Sequence, residues 1–205
     1  MKEQKEHNAV GAVCLLRCVA AALGVFLALA VAPSASAQNL VGNPGFETGN
    51  LTDWTFTPAG SGSHFYIRGD FPPSMFAHSG YYCAAFGAVY DENDLITQAL
   101  TTTPGSTYTF SFWLAADAES YLTASWNGTP VLNITPASGG FWWEQFSFIE
   151  TASGPTTTIG FAGRNAPAYI YLDDVSVTAV PDGGATASLL GLGLIGLGAL
   201  RRRQS

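Results

Sequence analysis

The sequence predicts an all-β fold, a β-sandwich of two antiparallel sheets, on three observations. Short runs that alternate apolar and polar residues recur between turn signals over 39–178, and no stretch there shows a convincing helical period. Glycine (23) and proline (11) are plentiful while charged residues are only 11% of the 205, a balance too apolar for disorder and suited to a turn-rich secreted domain. Both ends read as targeting segments, which leaves about one domain between them.

The elements follow in order. Residues 1–37 read as a signal peptide: Lys2, Lys5 and Arg17 give the positive region, 19–31 is an unbroken apolar run, and Ala35-Ser36-Ala37 offers small residues at the cleavage positions. The domain over 38–179 opens on Asn39-Leu40-Val41 and turns at Gly42-Asn43-Pro44-Gly45. Strands are expected at 51–57, with Trp54 and Phe56 at period two, then at 64–67, 81–86 and 94–100. Over 107–114 the alternation is clear: Tyr108, Phe110, Phe112 and Leu114 share one face, Thr109, Ser111 and Trp113 the other. Asn127-Gly128 joins 121–126 to 129–134 as a hairpin. Strands at 141–149, 156–162 and 169–178 complete the set. Trp54 is expected in the core.

Charge and cysteine usage narrow the function classes. The body over 38–179 has two basic against twelve acidic side chains, a net of −10, which makes it a poor binder of nucleic acid. Neutral glycans or cations such as calcium are compatible with it. Of three cysteines, Cys14 and Cys18 lie in the signal peptide, so Cys83 has no internal partner and reads as a small buried hydrophobe. Something other than a disulfide must therefore tie the ends of the domain together.

The tail, 180–205, has three parts in fixed order. Val180-Pro181-Asp182-Gly183-Gly184 is an extended, turn-forming motif, residues 185–200 carry no charge, and Arg201-Arg202-Arg203 form a cationic stop. The sixteen uncharged residues fall just short of the ~17–25 that span a bilayer comfortably. The triple arginine should stay cytoplasmic, with the body outside the inner membrane. This order and spacing resemble the sorting tail of PEP-CTERM proteins, with Asp182 where the commonest form has Glu. The resemblance implies recognition by an exosortase in a Gram-negative bacterium that makes exopolysaccharide. A permanent C-terminal anchor is the rival reading.

The body also carries a resemblance. Asn39 to Gly49 with Trp54, His78-Ser79-Gly80-Tyr81-Tyr82, Pro104 to Phe112 and Tyr171 to Val177 are similar to segments of a carbohydrate-binding-module-like, or galactose-binding-like, jelly roll. The resemblance implies two sheets packed face to face, and in many such modules a structural calcium between the first and last strands. Glu47 follows the opening turn, and Asp173 and Asp174 lie in the last strand, Asp173 in register with the core-facing Val175 and Val177. A buried aspartate needs a cation or donors, and calcium takes six to eight hard oxygens, so Glu47, Asp173 and Asp174 are the candidate ligands. The alternative is that the two aspartates stay solvated or bond backbone amides. The run Asp91-Glu92-Asn93-Asp94 reads as a solvated loop.

Sugar binding would use flat exposed aromatics with polar groups beside them. Trp113 shares its face with Thr109 and Ser111; Trp143, Gln145 and Ser147 share a face opposite Phe146 and Phe148, which puts Trp142 and Glu144 nominally inward. Trp113, Trp143 and Gln145 are thus a candidate glycan platform; the alternative is that both tryptophans pack under loops. Catalysis has little to stand on: no nucleophile elbow, zinc-protease motif or phosphate loop occurs. The expectation is an exported, non-enzymatic envelope or matrix protein. A specific carbohydrate-binding module and a small glycan-active hydrolase are the alternatives.

Overall fold

The structure is a computed structural model, and it describes residues 37–69 and 76–181. The signal peptide expected over 1–37 therefore lies outside the described residues except for Ala37, as does the tail from Asp182 onward with its apolar run and arginines. Ten strands form: β1 (Thr55–Thr57), β2 (Phe65–Gly69), β3 (Tyr82–Phe86), β4 (Asp94–Thr101), β5 (Thr107–Ala116), β6 (Tyr121–Trp126), β7 (Thr129–Ile134), β8 (Phe141–Thr151), β9 (Thr156–Arg164) and β10 (Ile170–Ala179). They make two five-stranded antiparallel sheets, β1-β4-β9-β6-β7 and β2-β3-β10-β5-β8.

Alternation along each strand builds the core between the sheets. Phe110, Phe112 and Leu114 of β5, with Leu172, Val175 and Val177 of β10, face Ile96 of β4, Ile159 and Phe161 of β9, and Leu122 and Ala124 of β6; all are essentially without exposure. The centre is aromatic: the Phe161 ring meets Phe112 edge to face at 4.9 Å, with Phe110 at 5.9 Å and Trp54 at 6.2 Å. The hairpin turn forms as expected, with Asn127 and Gly128 both at positive φ (50° and 77°).

The strand expected over 51–57 shortens to β1. Asp53 turns the chain at φ 71°, and Trp54 N–H bonds back to the Leu51 carbonyl at 2.9 Å. Trp54 is still buried, on a turn rather than a strand. The ends are tied without a disulfide. Leu40 N–H donates to Val177 O (2.9 Å), Val177 N–H to Asn39 Oδ1 (2.9 Å), Asn39 Nδ2 to Val175 O (3.1 Å) and Val175 N–H to Pro44 O (2.9 Å). The opening residues thus lie beside β10, which brings the first turn against the last strand.

Candidate functional site

The first cluster is made by a bulge. Asp173 of β10 faces Trp113 of β5, but Ser176 faces Ser111, so β10 carries one extra residue, and Asp174 takes a left-handed φ of 48°. The extra residue changes the face. Leu172 before it and Val175 after it both point inward, while Asp173 points outward beside Trp113. The expectation that Asp173 shares the face of Val175 and Val177 is corrected accordingly. Asp173 is nonetheless fully buried, covered from outside by the segment through His78 and Ser79.

Its oxygens are all engaged. His78 and Ser79 N–H donate to Oδ2 (2.9 and 3.1 Å), and Asp174 N–H donates to Oδ1 (2.7 Å). Burial, aided by the negative Asp174 next to it, pushes the Asp173 carboxyl up to about 7 against the pull of those three amides. Asp174 accepts from Ser79 Oγ (2.7 Å), and its Oδ2 lies 2.6 Å from His78 Nδ1.

Glu47 joins this neighbourhood from the opening turn. Gly45 supplies the space: a Cβ there would sit 3.3 Å from Asp173 Oδ1, 3.4 Å from Asp174 Oδ1 and 3.7 Å from Glu47 Cγ. The donors around that cradle are hard oxygens, the chemistry calcium takes. The Glu47 carboxylate, however, is turned onto the next loop, where Tyr81 N–H (2.9 Å) and Tyr82 N–H (3.0 Å) donate to Oε1 and Gly80 at φ 62° leaves room for it. Among the described residues no three His, Cys, Asp or Glu side chains converge in a geometry that holds a metal ion. Asp173 and Asp174 line the space over Gly45, and Glu47 braces its wall.

The outer face of the second sheet is aromatic and mostly covered. Trp113 faces Gln145 across β5 and β8, on the outer side as alternation predicts. His78 lies flat on Trp113 (3.8 Å between centroids, 16°) and edge-on to Trp143 at 5.6 Å. Trp143 packs with Ala77, Cys83, Ala85, Ala115 and Tyr171, and its Nε1 is buried with no partner. Cys83 is fully buried, as expected. Gln145 stays exposed. Trp142 is the correction: β8 has an extra residue between Glu144, which faces Leu114, and Phe141, which faces Ala116, so Trp142 points to solvent instead of inward, with 63% exposure, while Glu144 keeps the inner side's register and is exposed at the sheet edge.

The outer face of the first sheet is open and, but for Arg164 at one end, uncharged. Register places Thr57-Leu95-Ala162-Thr123-Asn133 in one row and Thr55-Thr97-Gly160-Ser125 in the next, with Ala99-Thr158 and Thr101-Thr156 beyond. Gly160 and Ala162 bear the smallest side chains of β9 on this face, and Ser125 and Thr97 close over Gly160, where a Cβ would lie 2.9 Å from Ser125 Oγ and 3.4 Å from Thr97 Cγ2. At one end Arg164 stacks on Tyr121 (3.9 Å) and donates to Asn93 Oδ1 (3.0 Å). No carboxylate of this acidic body stands in those rows. Asp91 and Glu92 are solvated near that end, but Asp94 is not. It is fully buried and accepts from Ala59 N–H (2.9 Å), Ser63 Oγ (2.6 Å) and His64 N–H (2.9 Å), so the expected solvated loop stops one residue earlier. Alternation alone could have found the neutral face; nothing local in the sequence marks His78 or Trp142.

Residues 179–204 match the model of the VPDSG-CTERM motif, with Gly183 where that motif has serine. Val180 begins it directly after β10, its N–H donated to Thr107 O at 2.9 Å. No curated protein matches the chain. Among solved structures, TmCBM61 in complex with β-1,4-galactotriose is similar over 70% of this chain and 100% of its own, at 18% identity and TM-score 0.57. The CBM22-1 xylan-binding domain of Paenibacillus barcinonensis Xyn10C matches over 71% and 97%, at 15% identity and TM-score 0.50. A cyclase from Fischerella sp. TAU matches over 71% and 98%, at 15% identity and TM-score 0.52. At these identities the likeness is one of fold, and that fold carries both binding and catalytic proteins. The chain thus carries a VPDSG-CTERM motif, a PEP-CTERM-like sorting tail of an exported, surface-targeted protein, behind a jelly-roll body that shares its fold with carbohydrate-binding modules.

Proposed function

We propose that this is a non-enzymatic envelope or extracellular-matrix protein of a Gram-negative bacterium, passed to an exosortase by its tail and holding an uncharged glycan on the open face of its first sheet. The tail motif supports an inner-membrane intermediate that ends at the cell surface, in association with exopolysaccharide. The observation that carries the sugar reading is the carboxylate-free, hydroxyl-rich face formed by Thr97, Thr123, Ser125, Thr158 and Ala162 in a body of net charge −10. An anionic polysaccharide would meet repulsion from that body, whereas a neutral chain meets hydroxyls and the Tyr121 ring. A second reading keeps the sugar on β8, where Gln145 and the 63%-exposed Trp142 stand beside Trp113 and Trp143. A structural calcium in the Gly45 cradle, held by Asp173 and Asp174, belongs to either reading.

Affinity electrophoresis through gels containing xylan, β-1,4-galactan or alginate tests this. Retardation is expected in a neutral gel and not in alginate, and it should survive ~0.5 M salt because screening has no ion pair to weaken. Ala162→Glu and Thr158→Glu should each weaken it at least tenfold, while Trp142→Ala should not. Loss only in Trp142→Ala would transfer the site to β8; no retardation in any gel would remove sugar binding from the account. For the tail, mass spectrometry of the protein from its native host should find a C-terminus near 180–184. An intact Ser205 would mean a retained anchor.

A further inference from the structure

We infer that the end of the sandwich from which the tail leaves is a membrane-facing surface, which rests on anionic lipid headgroups while the tail is attached. The inference rests on the reading of the tail as a membrane-held intermediate. Hydrogen bonds gather three loops around the exit of the tail. Val180 N–H donates to Thr107 O (2.9 Å), Gly105 N–H to Ala152 O (2.8 Å), Ala152 N–H to Ser106 O (3.0 Å) and Thr102 N–H to Pro155 O (2.9 Å). Asn127 of the β6–β7 hairpin joins them, its Nδ2 donating to Ser153 Oγ at 3.3 Å. Residues 102–107, 126–129, 151–156 and 179–181 hold no charged side chain, in a body with twelve carboxylates. Thr103, Pro104, Asn127, Ser153 and Pro155 are exposed there. Glu150 stands beside this end, opposite Tyr108. Asp91, Glu92, Asp94, Asp117 and Glu119 sit at the opposite end, around the start of β4 and just after β5.

The length of the tail sets how far this end can stand from lipid. Val180 is tied to β5, and only Pro181 to Gly184 separate it from the uncharged run that starts at Ala185. A fully extended chain covers no more than ~3.6 Å per residue, so the gap to Ala185 is at most ~18 Å. Screening decides which charges feel the headgroups. The Debye length is ~8 Å at 0.15 M salt, so a carboxylate on this end stands within about two such lengths of the surface and is repelled by it. Strands rise ~3.3 Å per residue, so the ten residues of β5 put the acidic loops ~30 Å further away, where the same charges are screened. Asp182 is the exception, and it belongs to the sorting motif itself. A neutral end neither repels headgroups nor holds on to them, which suits a body that leaves when its tail is cut.

The test places the tail-bearing chain, without its signal peptide, in vesicles whose headgroups carry a quencher. A fluorophore on Thr129→Cys reports from the hairpin, and Cys83 is buried. In vesicles of phosphatidylcholine with phosphatidylglycerol, Thr103→Glu with Ser153→Glu should cut the quenching at least threefold. Thr103→Lys with Ser153→Lys should not reduce it. Nor should Ser61→Glu with Ala118→Glu, both exposed at the far end. The loss in the first pair should vanish in phosphatidylcholine alone, and at ~1 M salt, where the screening length is ~3 Å. Equal quenching in the glutamate pair and the unaltered chain, an equal loss in the lysine pair, or a loss that persists without anionic lipid would each overturn the proposal. A chain that stays out of the vesicles altogether would instead remove the membrane reading of the tail, and this inference with it.

Discussion

Phe161→Ala lowers the stability of the body by about 3–5 kcal/mol, roughly half of the ~5–15 kcal/mol that holds an ordinary domain together. Phe161 is fully buried on β9, the middle strand of its sheet. Its ring meets Phe112 and Phe110 of β5 in the facing sheet and Trp54 on the turn before β1. Truncation removes the ring's transfer free energy and leaves a cavity that stiff strands on both sides cannot close. Its β9 neighbours are no help, because Gly160 and Gly163 offer no side chain to move in. Urea unfolding should show a lower midpoint with an unchanged slope. Thr158→Glu, three residues away on the outer face, should change stability by no more than ~0.5 kcal/mol. A loss under about 1 kcal/mol for Phe161→Ala would mean that the two sheets do not meet there.

Which parts of this were legible from the residues follows from where the information sits. Alternation over β5 and β8 placed Phe110, Phe112, Phe146 and Phe148 inward and Trp113, Trp143 and Gln145 outward, because period two is a local property of the strand. It failed where one residue was inserted. The bulges at Asp174 and at Trp142-Trp143 reverse the parity without any change in composition, so alternation alone puts Asp173 on the core face and Trp142 inside. The Asp91 to Asp94 run reads as one solvated loop, yet Asp94 is held by donors thirty to thirty-five residues earlier. His78 covers Trp113 for the same reason: contacts across the fold leave no mark on the neighbouring sequence.

Between pH 4 and 7 the body should lose stability as pH rises, in the part that Asp173 contributes. Asp173 titrates at about 7 when folded, against 3.8 for the ordinary group. Over that window the folded chain holds a proton that the unfolded chain has released, and stability falls wherever the native state binds the more protons. The contribution is complete below about pH 4, declines up to pH 7 and is flat above it, the reverse of a salt-bridged carboxylate. Melting temperatures recorded in chelator from pH 4 to 8 should show this decline, and Asp173→Asn should remove it even though its amide disturbs the donors at His78, Ser79 and Asp174. Calcium supplies the sharper comparison. A divalent ion beside Gly45 would favour the ionised form of Asp173, so millimolar calcium should raise the melting temperature most above pH 6 and flatten the slope. Identical curves in calcium and in chelator would take the ion out of the cradle, and a wild-type slope no steeper than that of Asp173→Asn would show that this carboxyl ionises in the ordinary range.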